Sequence, residues 1–219
     1  MTLSLIQDRS AQALLSAGRA AGSVTLIAVS KLQPDDRVRA VLDQGQRAFG
    51  ENYVQEAAAK WPAFRAGFAG IDLHMIGPLQ SNKAKQAVGL FDVIQSLDRP
   101  SLAQKLASLA QSRGKSPSLF VQVNTGSEPQ KAGILPQDLD RFLRDCRAMD
   151  LHPSGLMCIP PDGADPIPHF QTLALMAKRH GLKNLSMGMS SDFEAAVAQG
   201  ATHIRVGSAL FGARPKSNP

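Results

Sequence analysis

Val24-Thr25-Leu26-Ile27-Ala28-Val29-Ser30-Lys31-Leu32-Gln33-Pro34 is the stretch from which the fold of this chain can be read. Its first six residues are apolar or β-branched, short enough for a strand and continuous enough to be buried on both faces. Side chains alternate along a strand, so Lys31 takes the direction of Val29 and Ile27, at the carboxyl lip of that strand. Pro34 and the acidic pair Asp35-Asp36 then open a helix. In α/β proteins the carboxyl ends of the strands are where ligands bind. Two readings fit the lysine on this stretch alone. It snorkels from a strand end into water, or it is partly desolvated, with an amine readily neutral and able to attack a carbonyl.

Outward from this stretch the strand–helix pattern repeats. Apolar positions at Leu3, Ile6, Ala13, Leu14 and Ala17 predict a leading helix over residues 3–21, closed by Gly22. Further strands are expected at 47–50, 73–77, 92–96, 119–124, 153–159, 185–187 and 203–206, with helices between them. Glu51 to Glu56 reads as an acidic helix start, and 190–199 as a helix with Ser190 at its N-cap. Strict βα alternation implies a parallel sheet with right-handed crossovers. Eight units fit an α/β (β/α)8 TIM barrel with an extra N-terminal helix. An open doubly wound sheet is the alternative, but it wants a glycine-rich turn after the first strand, and Ser30-Lys31-Leu32-Gln33 is not one. The whole chain reads as a single domain, with residues 213–219 as a disordered tail.

Composition narrows the function. At 219 residues the chain can bury a substantial core. No apolar run is long enough to cross a bilayer, and Met1 to Arg9 lacks the features of a signal peptide. Cys146 and Cys158 make neither a disulfide framework nor a metal pair, so a cytoplasmic protein with free thiols is expected. The net charge of +6 invites a nucleic-acid reading. Lysine and arginine are scattered, however, and aromatic residues are only 5% of the chain, too few for stacking platforms. A mild positive field suits a small phosphorylated ligand equally well. His152, His169, His180 and His203 lack ligand spacing, so no metal is expected.

The loops after strands seven and eight of a barrel commonly hold phosphate. Here they read Gly188-Met189-Ser190-Ser191-Asp192 and Gly207-Ser208. Each could be ordinary helix capping, and Ser191-Asp192-Phe193-Glu194 is capping-box-like. Two such loops in the expected places favour phosphate. Arg205, in a buried strand, needs a partner, either a structural carboxylate or a ligand. Asn52, His74 and Asn124 fall near strand ends, where a satisfied core polar group is the plainer reading. Asn82-Lys83-Ala84-Lys85 puts basic charge at a helix start and hints weakly at an acidic partner.

Five linked motifs then resemble one family. They are Ala28-Val29-Ser30-Lys31, Phe49-Gly50-Glu51-Asn52-Tyr53, the run His74 to Lys83, Leu185 to Ser190, and Arg205 to Gly212. In order and content they resemble the pyridoxal-phosphate homeostasis proteins, over about residues 3 to 212. The resemblance implies a barrel like the N-terminal domain of alanine racemase, with pyridoxal 5′-phosphate held as a Schiff base on Lys31. It implies phosphate contacts from Ser190 and Gly207-Ser208, with Met189 beside them, and Arg205 facing the pyridine nitrogen. Asn52 and His74 would lie near the cofactor. Ser191 stands where an acidic residue is frequent and Ser208 where threonine is usual, and both substitutions keep polar capping chemistry.

An arginine beside the pyridine nitrogen keeps it unprotonated, which makes the ring a weaker electron sink. The resemblance therefore implies a protein that holds and delivers the cofactor without substantial turnover. Expected partners are the cofactor and apo forms of enzymes that use it; a monomer is expected, with no membrane or specific nucleic acid. An amino-acid racemase is the alternative. It needs a second acid/base group on the opposite face of the substrate carbon, and Tyr53 is expected to pack against or border the pocket instead. A cofactor-free Schiff-base aldolase is the third reading.

Overall fold

The computed structural model describes residues 1–213. The last six residues of the expected tail lie outside that range. Eight parallel strands close into a barrel in sequence order. They are β1 (Thr25–Val29), β2 (Ala48–Glu51), β3 (Asp72–Met75), β4 (Val93–Leu97), β5 (Ser118–Val123), β6 (Gly155–Cys158), β7 (Asn184–Ser186) and β8 (His203–Val206). β8 returns to β1 with Ile27 opposite Arg205 and Ala28 opposite Val206. Helix α1 (Leu3–Ser16) precedes the barrel. Around it follow α2 (Asp35–Asp43), α3 (Val54–Gly67), α4 (Ala84–Leu90), α5 (Pro100–Arg113), α6 (Leu139–Ala148), α7 (Ile167–Arg179), α8 (Phe193–Ala198) and α9 (Ser208–Phe211). None of the described helices is long and apolar enough to cross a membrane.

Alternation along each strand divides the core in two. Ala28, Phe49, Leu73, Ile94 and Leu156 face outward and are buried against the helices in one continuous cluster. Trp61 on α3 belongs to that layer, its ring 4.9 Å from Phe49 and 5.5 Å from Phe64. The barrel interior holds a separate, small apolar group, Val93, Phe120 and Met157. Much of the remaining interior is polar: His74, Gln95, Ser186 and Arg205 are all buried.

Three expectations need correction. The leading helix ends at Ser16 rather than near residue 21, because Gly18, with φ of 64°, already takes the left-handed conformation that terminates it. Glu51 is not a helix start; it is the last residue of β2 and wholly buried. Ser190 does not cap α8, which begins at Phe193, and Asp192 instead turns its carboxylate back to the Met189 N–H at 2.6 Å. Glu194, the distal partner in the expected capping box, reaches Arg9 on α1 instead. Glu51 and Glu194 took tertiary partners, whereas Asp192 kept a local one.

Candidate functional site

Lys31 lies in the turn just beyond β1, and an ionic cluster outside the barrel holds that turn from behind. The Ser30 hydroxyl donates to Glu51 Oε1 at 2.8 Å, and the indole N–H of Trp61 donates to the same oxygen at 3.0 Å. Lys60 Nζ sits 3.3 Å from Glu51 and 2.8 Å from Glu56. It also donates to the Ser30 carbonyl at 3.2 Å. The Leu32 N–H donates to Glu56 at 2.6 Å. Leu32 has φ of 57°, an uncommon conformation for a branched side chain, and the Glu56 bond helps hold it there. The residues on both sides of Lys31 are thus tied to three charged side chains, Lys60 and Glu56 through backbone and Glu51 through the Ser30 hydroxyl. Burial raises the pKa of Glu51, and the nearby Lys60 charge works against that rise.

In front of the turn, Lys31 lines a cavity of about 330 Å³ together with Val29, Gln33, Gly207, Ser208, Gly212 and Ala213. Arg37 on α2 closes one side, donating to the carbonyls of Phe211 and Ala213 at 3.0 and 2.9 Å. Gly207 approaches β1 closely; a Cβ there would lie 3.3 Å from Val29 Cβ. The Ser190 hydroxyl receives the N–H groups of Gly207 and Ala209 at 3.3 and 3.4 Å. It ties the β7 loop to the β8 loop, so the two phosphate-type loops form one lip. Gly188 makes this possible: at φ of 89°, its Cβ would lie 2.5 Å from the Ala196 Cβ.

Arg205 reaches into the barrel just below this lip and is almost wholly buried. It donates to the Cys158 carbonyl at 2.8 Å and to Ser186 Oγ at 2.7 Å. Both acceptors are neutral, and burial pushes the guanidinium below its usual pKa. A buried cation held by neutral groups is suited to a further acceptor from a ligand. Burial, foremost, pushes the Cys158 thiol up to about 12, which leaves it inert.

The other expected residues divide. Asn52 follows β2 with its backbone packed so tightly on Gly77 that a Cβ there would meet the Asn52 carbonyl oxygen at 2.5 Å. Gly50 faces the interior beside Ile27, and alternation carries Asn52 toward that side. His74 is wholly buried, with both ring nitrogens partnered, by Asp72 at 2.9 Å and Gln95 at 3.0 Å. It is a satisfied interior residue three hydrogen bonds from Arg205, through Gln95 and Ser186. Met189, half-buried, lines a neighbouring cavity of about 480 Å³ with Lys131, Pro161 and Asp192. Asn124 is spent on its own loop, bonded to Glu128 and Lys131. Lys131 pairs with Glu128 at 2.7 Å. Tyr53 is half exposed at the start of α3. No cluster of potential metal ligands occurs among the described residues.

Sequence reasoning missed Glu51, Glu56, Lys60, Gln95 and Ser186. The i,i+4 spacing of Glu56 and Lys60 was a usable signal for one pair. The reasoning that singled out Arg205, a polar residue inside a buried strand, applies equally to Gln95 and Ser186.

Comparison with known proteins agrees with this fold. The profile of the alanine racemase N-terminal domain matches residues 12–215. The pyridoxal phosphate homeostasis protein of Escherichia coli K12 is 37% identical, over 98% of this chain and 96% of its own length. That of Deinococcus radiodurans is 43% identical, over 91% and 94%. Among solved structures, PipY of Synechococcus elongatus with PLP bound is 40% identical, with a TM-score of 0.79, over 93% of this chain and 100% of that one. Alanine racemase of Clostridium difficile, at 12% identity and a TM-score of 0.67, shares the fold over 57% of its length. Sequence and fold together show that the chain belongs to the family of pyridoxal phosphate homeostasis proteins, barrels of the alanine racemase N-terminal domain type.

Proposed function

We propose that this protein binds pyridoxal 5′-phosphate at the Lys31 cavity and serves as its carrier, without substantial turnover. The observation that carries this is the convergence of Lys31, Gly207 and Ser208 on one cavity, with the buried Arg205 two residues before Gly207 on β8. The PLP-bound relative supports it from outside the chain. When bound, the cofactor supplies an aldehyde that a primary amine captures as a Schiff base with loss of water.

The residues present fit that group. Lys31 provides the amine, and the cluster of Glu51, Glu56 and Lys60 keeps its turn in place. Ser190, Gly207 and Ser208 provide the phosphate lip, where hydroxyls and a close backbone suit an anion. Arg205 offers its remaining N–H capacity to the ring nitrogen. As a fixed cation it disfavours protonation there, which restrains carbanion chemistry. Asn52 and, from the neighbouring cavity, Met189 would border the ring, and His74 would act on Arg205 only through Gln95 and Ser186. In this reading the protein is a cytoplasmic, single-domain monomer that passes its cofactor to apo enzymes.

The test is the visible spectrum of the purified protein with PLP, wild type beside Lys31→Ala, followed by borohydride reduction and peptide mapping. The expected result is a band above 400 nm, on the order expected for a conjugated imine, that is lost in the variant, with the reduced pyridoxyl group on Lys31. A wild type that stays colourless overturns the proposal. Racemisation of L- or D-alanine by the loaded protein would replace the carrier reading with an enzymatic one.

A further inference from the structure

A chain of polar side chains crosses the barrel interior and ends on Arg205. The Arg205 guanidinium donates to Ser186 Oγ at 2.7 Å, and the Ser186 hydroxyl donates to Gln95 Oε1 at 2.6 Å. Gln95 Nε2 lies 3.0 Å from His74 Nδ1, and His74 Nε2 lies 2.9 Å from Asp72 Oδ2. The five residues come from β8, β7, β4 and β3, so the chain spans the barrel rather than following one strand. Arg205, Ser186, Gln95 and His74 are buried, while the Asp72 side chain is half exposed at the amino-terminal end of its strand.

The two ends of this chain have fixed chemistry. A guanidinium only donates and an ionised carboxylate only accepts, whereas hydroxyl, amide and imidazole do either. The ends therefore set the sense of everything between them. Ser186 accepts from Arg205 and passes its one hydrogen to Gln95. Gln95 must then present its N–H to His74 Nδ1, which leaves the His74 proton on Nε2, facing Asp72. Turning the Gln95 amide over would aim a second donor at Ser186 and leave its hydroxyl hydrogen without this acceptor in a buried site, which is costly. The His74 bond also holds the Asp72 carboxyl below its ordinary pKa, as expected for the charged acceptor at the end of the chain.

We propose that Ser186, Gln95, His74 and Asp72 are positioning residues, which fix the orientation and donor direction of Arg205 toward the bound cofactor ring. This rests on the PLP-binding reading above. It assigns a role in that site to Asp72, at the opposite end of the barrel from the pocket, and to Gln95 and Ser186, which do not line the Lys31 cavity.

The experiment has two arms on the full chain. In the first, histidine ¹⁵N NMR of the protein without PLP reads the His74 tautomer. A neutral ring protonated on Nε2 is expected, and it should be retained in Asp72→Asn, whose amide oxygen still accepts that hydrogen. A ring protonated on Nδ1, or a charged ring, at pH 8 in the wild type overturns the donor sense and with it the proposal. In the second arm, PLP titrations compare Gln95→Leu, Ser186→Ala and Ser186→Thr with the wild type. The first two are expected to weaken binding about tenfold and to shift the visible maximum, with Lys31 still labelled by borohydride. Ser186→Thr, which keeps the hydroxyl, is expected to restore both. Wild-type affinity and spectrum in Gln95→Leu and Ser186→Ala overturn the proposal. A wild type that takes up no PLP overturns the binding reading itself, and the NMR arm still decides whether the chain runs as described.

Discussion

A half-buried histidine close to an arginine and to a second histidine has little room for charge. Burial foremost, with the Arg205 charge adding to it, pushes His203 down from 6.5 to about 4, against the opposing pull of Asp72. Above pH 6.5 the residue is neutral in both folded and unfolded chains and contributes nothing. Between pH 6.5 and 4 the unfolded chain takes up a proton that the folded protein refuses, so stability falls as pH falls. Below pH 4 the loss levels off. Urea unfolding at pH 7.5 and 4.5 should differ by up to about 2 kcal/mol from this residue. His203→Gln should flatten that part of the profile, and an unchanged profile would show that the ring is already charged in the fold. At the same scale Lys31 gave its position away, since a lysine ending a buried strand is unusual. Glu51 did not, because Glu51-Asn52-Tyr53-Val54 reads locally as the opening of a helix. Only the approach of Lys60 and Trp61 from one turn and more away turns it into a buried anchor.

Helix α3 matters because it carries the groups that hold a different element. Lys60 bridges Glu51 and Glu56 with its one positive charge and binds the carbonyl before Lys31. Lys60→Met leaves two carboxylates facing each other with little solvent, which should cost about 3–5 kcal/mol in chemical denaturation. Adding Glu51→Gln should recover part of that loss, since it removes the stranded charge; purely additive losses would show that the cluster is not coupled. The β7 loop offers a second element-scale check. Gly188→Ala places a methyl 2.5 Å from Ala196 Cβ at a φ of 89°. A destabilisation of about 2–3 kcal/mol is expected, with weaker PLP uptake because the Ser190 lip moves. Unaltered melting and uptake would show that the loop relaxes freely.

Across the molecule, α1 lies outside the βα repeat and packs on α8. Arg9 makes two hydrogen bonds to Glu194, but both side chains are well exposed. Leu3, Ile6 and Leu14 of the same helix are buried. Area removed from water therefore holds this helix on the barrel, more than the ion pair. Leu14→Ala should lower stability by about 2–4 kcal/mol, whereas Arg9→Met should leave the unfolding midpoint where it is. The reverse ranking would make the ion pair the attachment.

The sequence by itself determined the α/β class, the closed eightfold order and the strand ends that carry Lys31, Asn52, Ser190, Arg205 and Gly207. These follow from periodicity and from loop chemistry, both local properties that a linear reading captures. Two features were left to the tertiary structure. One is the partner of each buried polar group: Ser190 with the β8 loop rather than its own helix, and Gln95 with Ser186 and His74. The other is the joining of two loops into a single lip. Both depend on which strands barrel closure makes neighbours and which side chains then share an interior without water. There, a donor must find whatever acceptor the fold brings within 3 Å or so, however far away it lies in the chain.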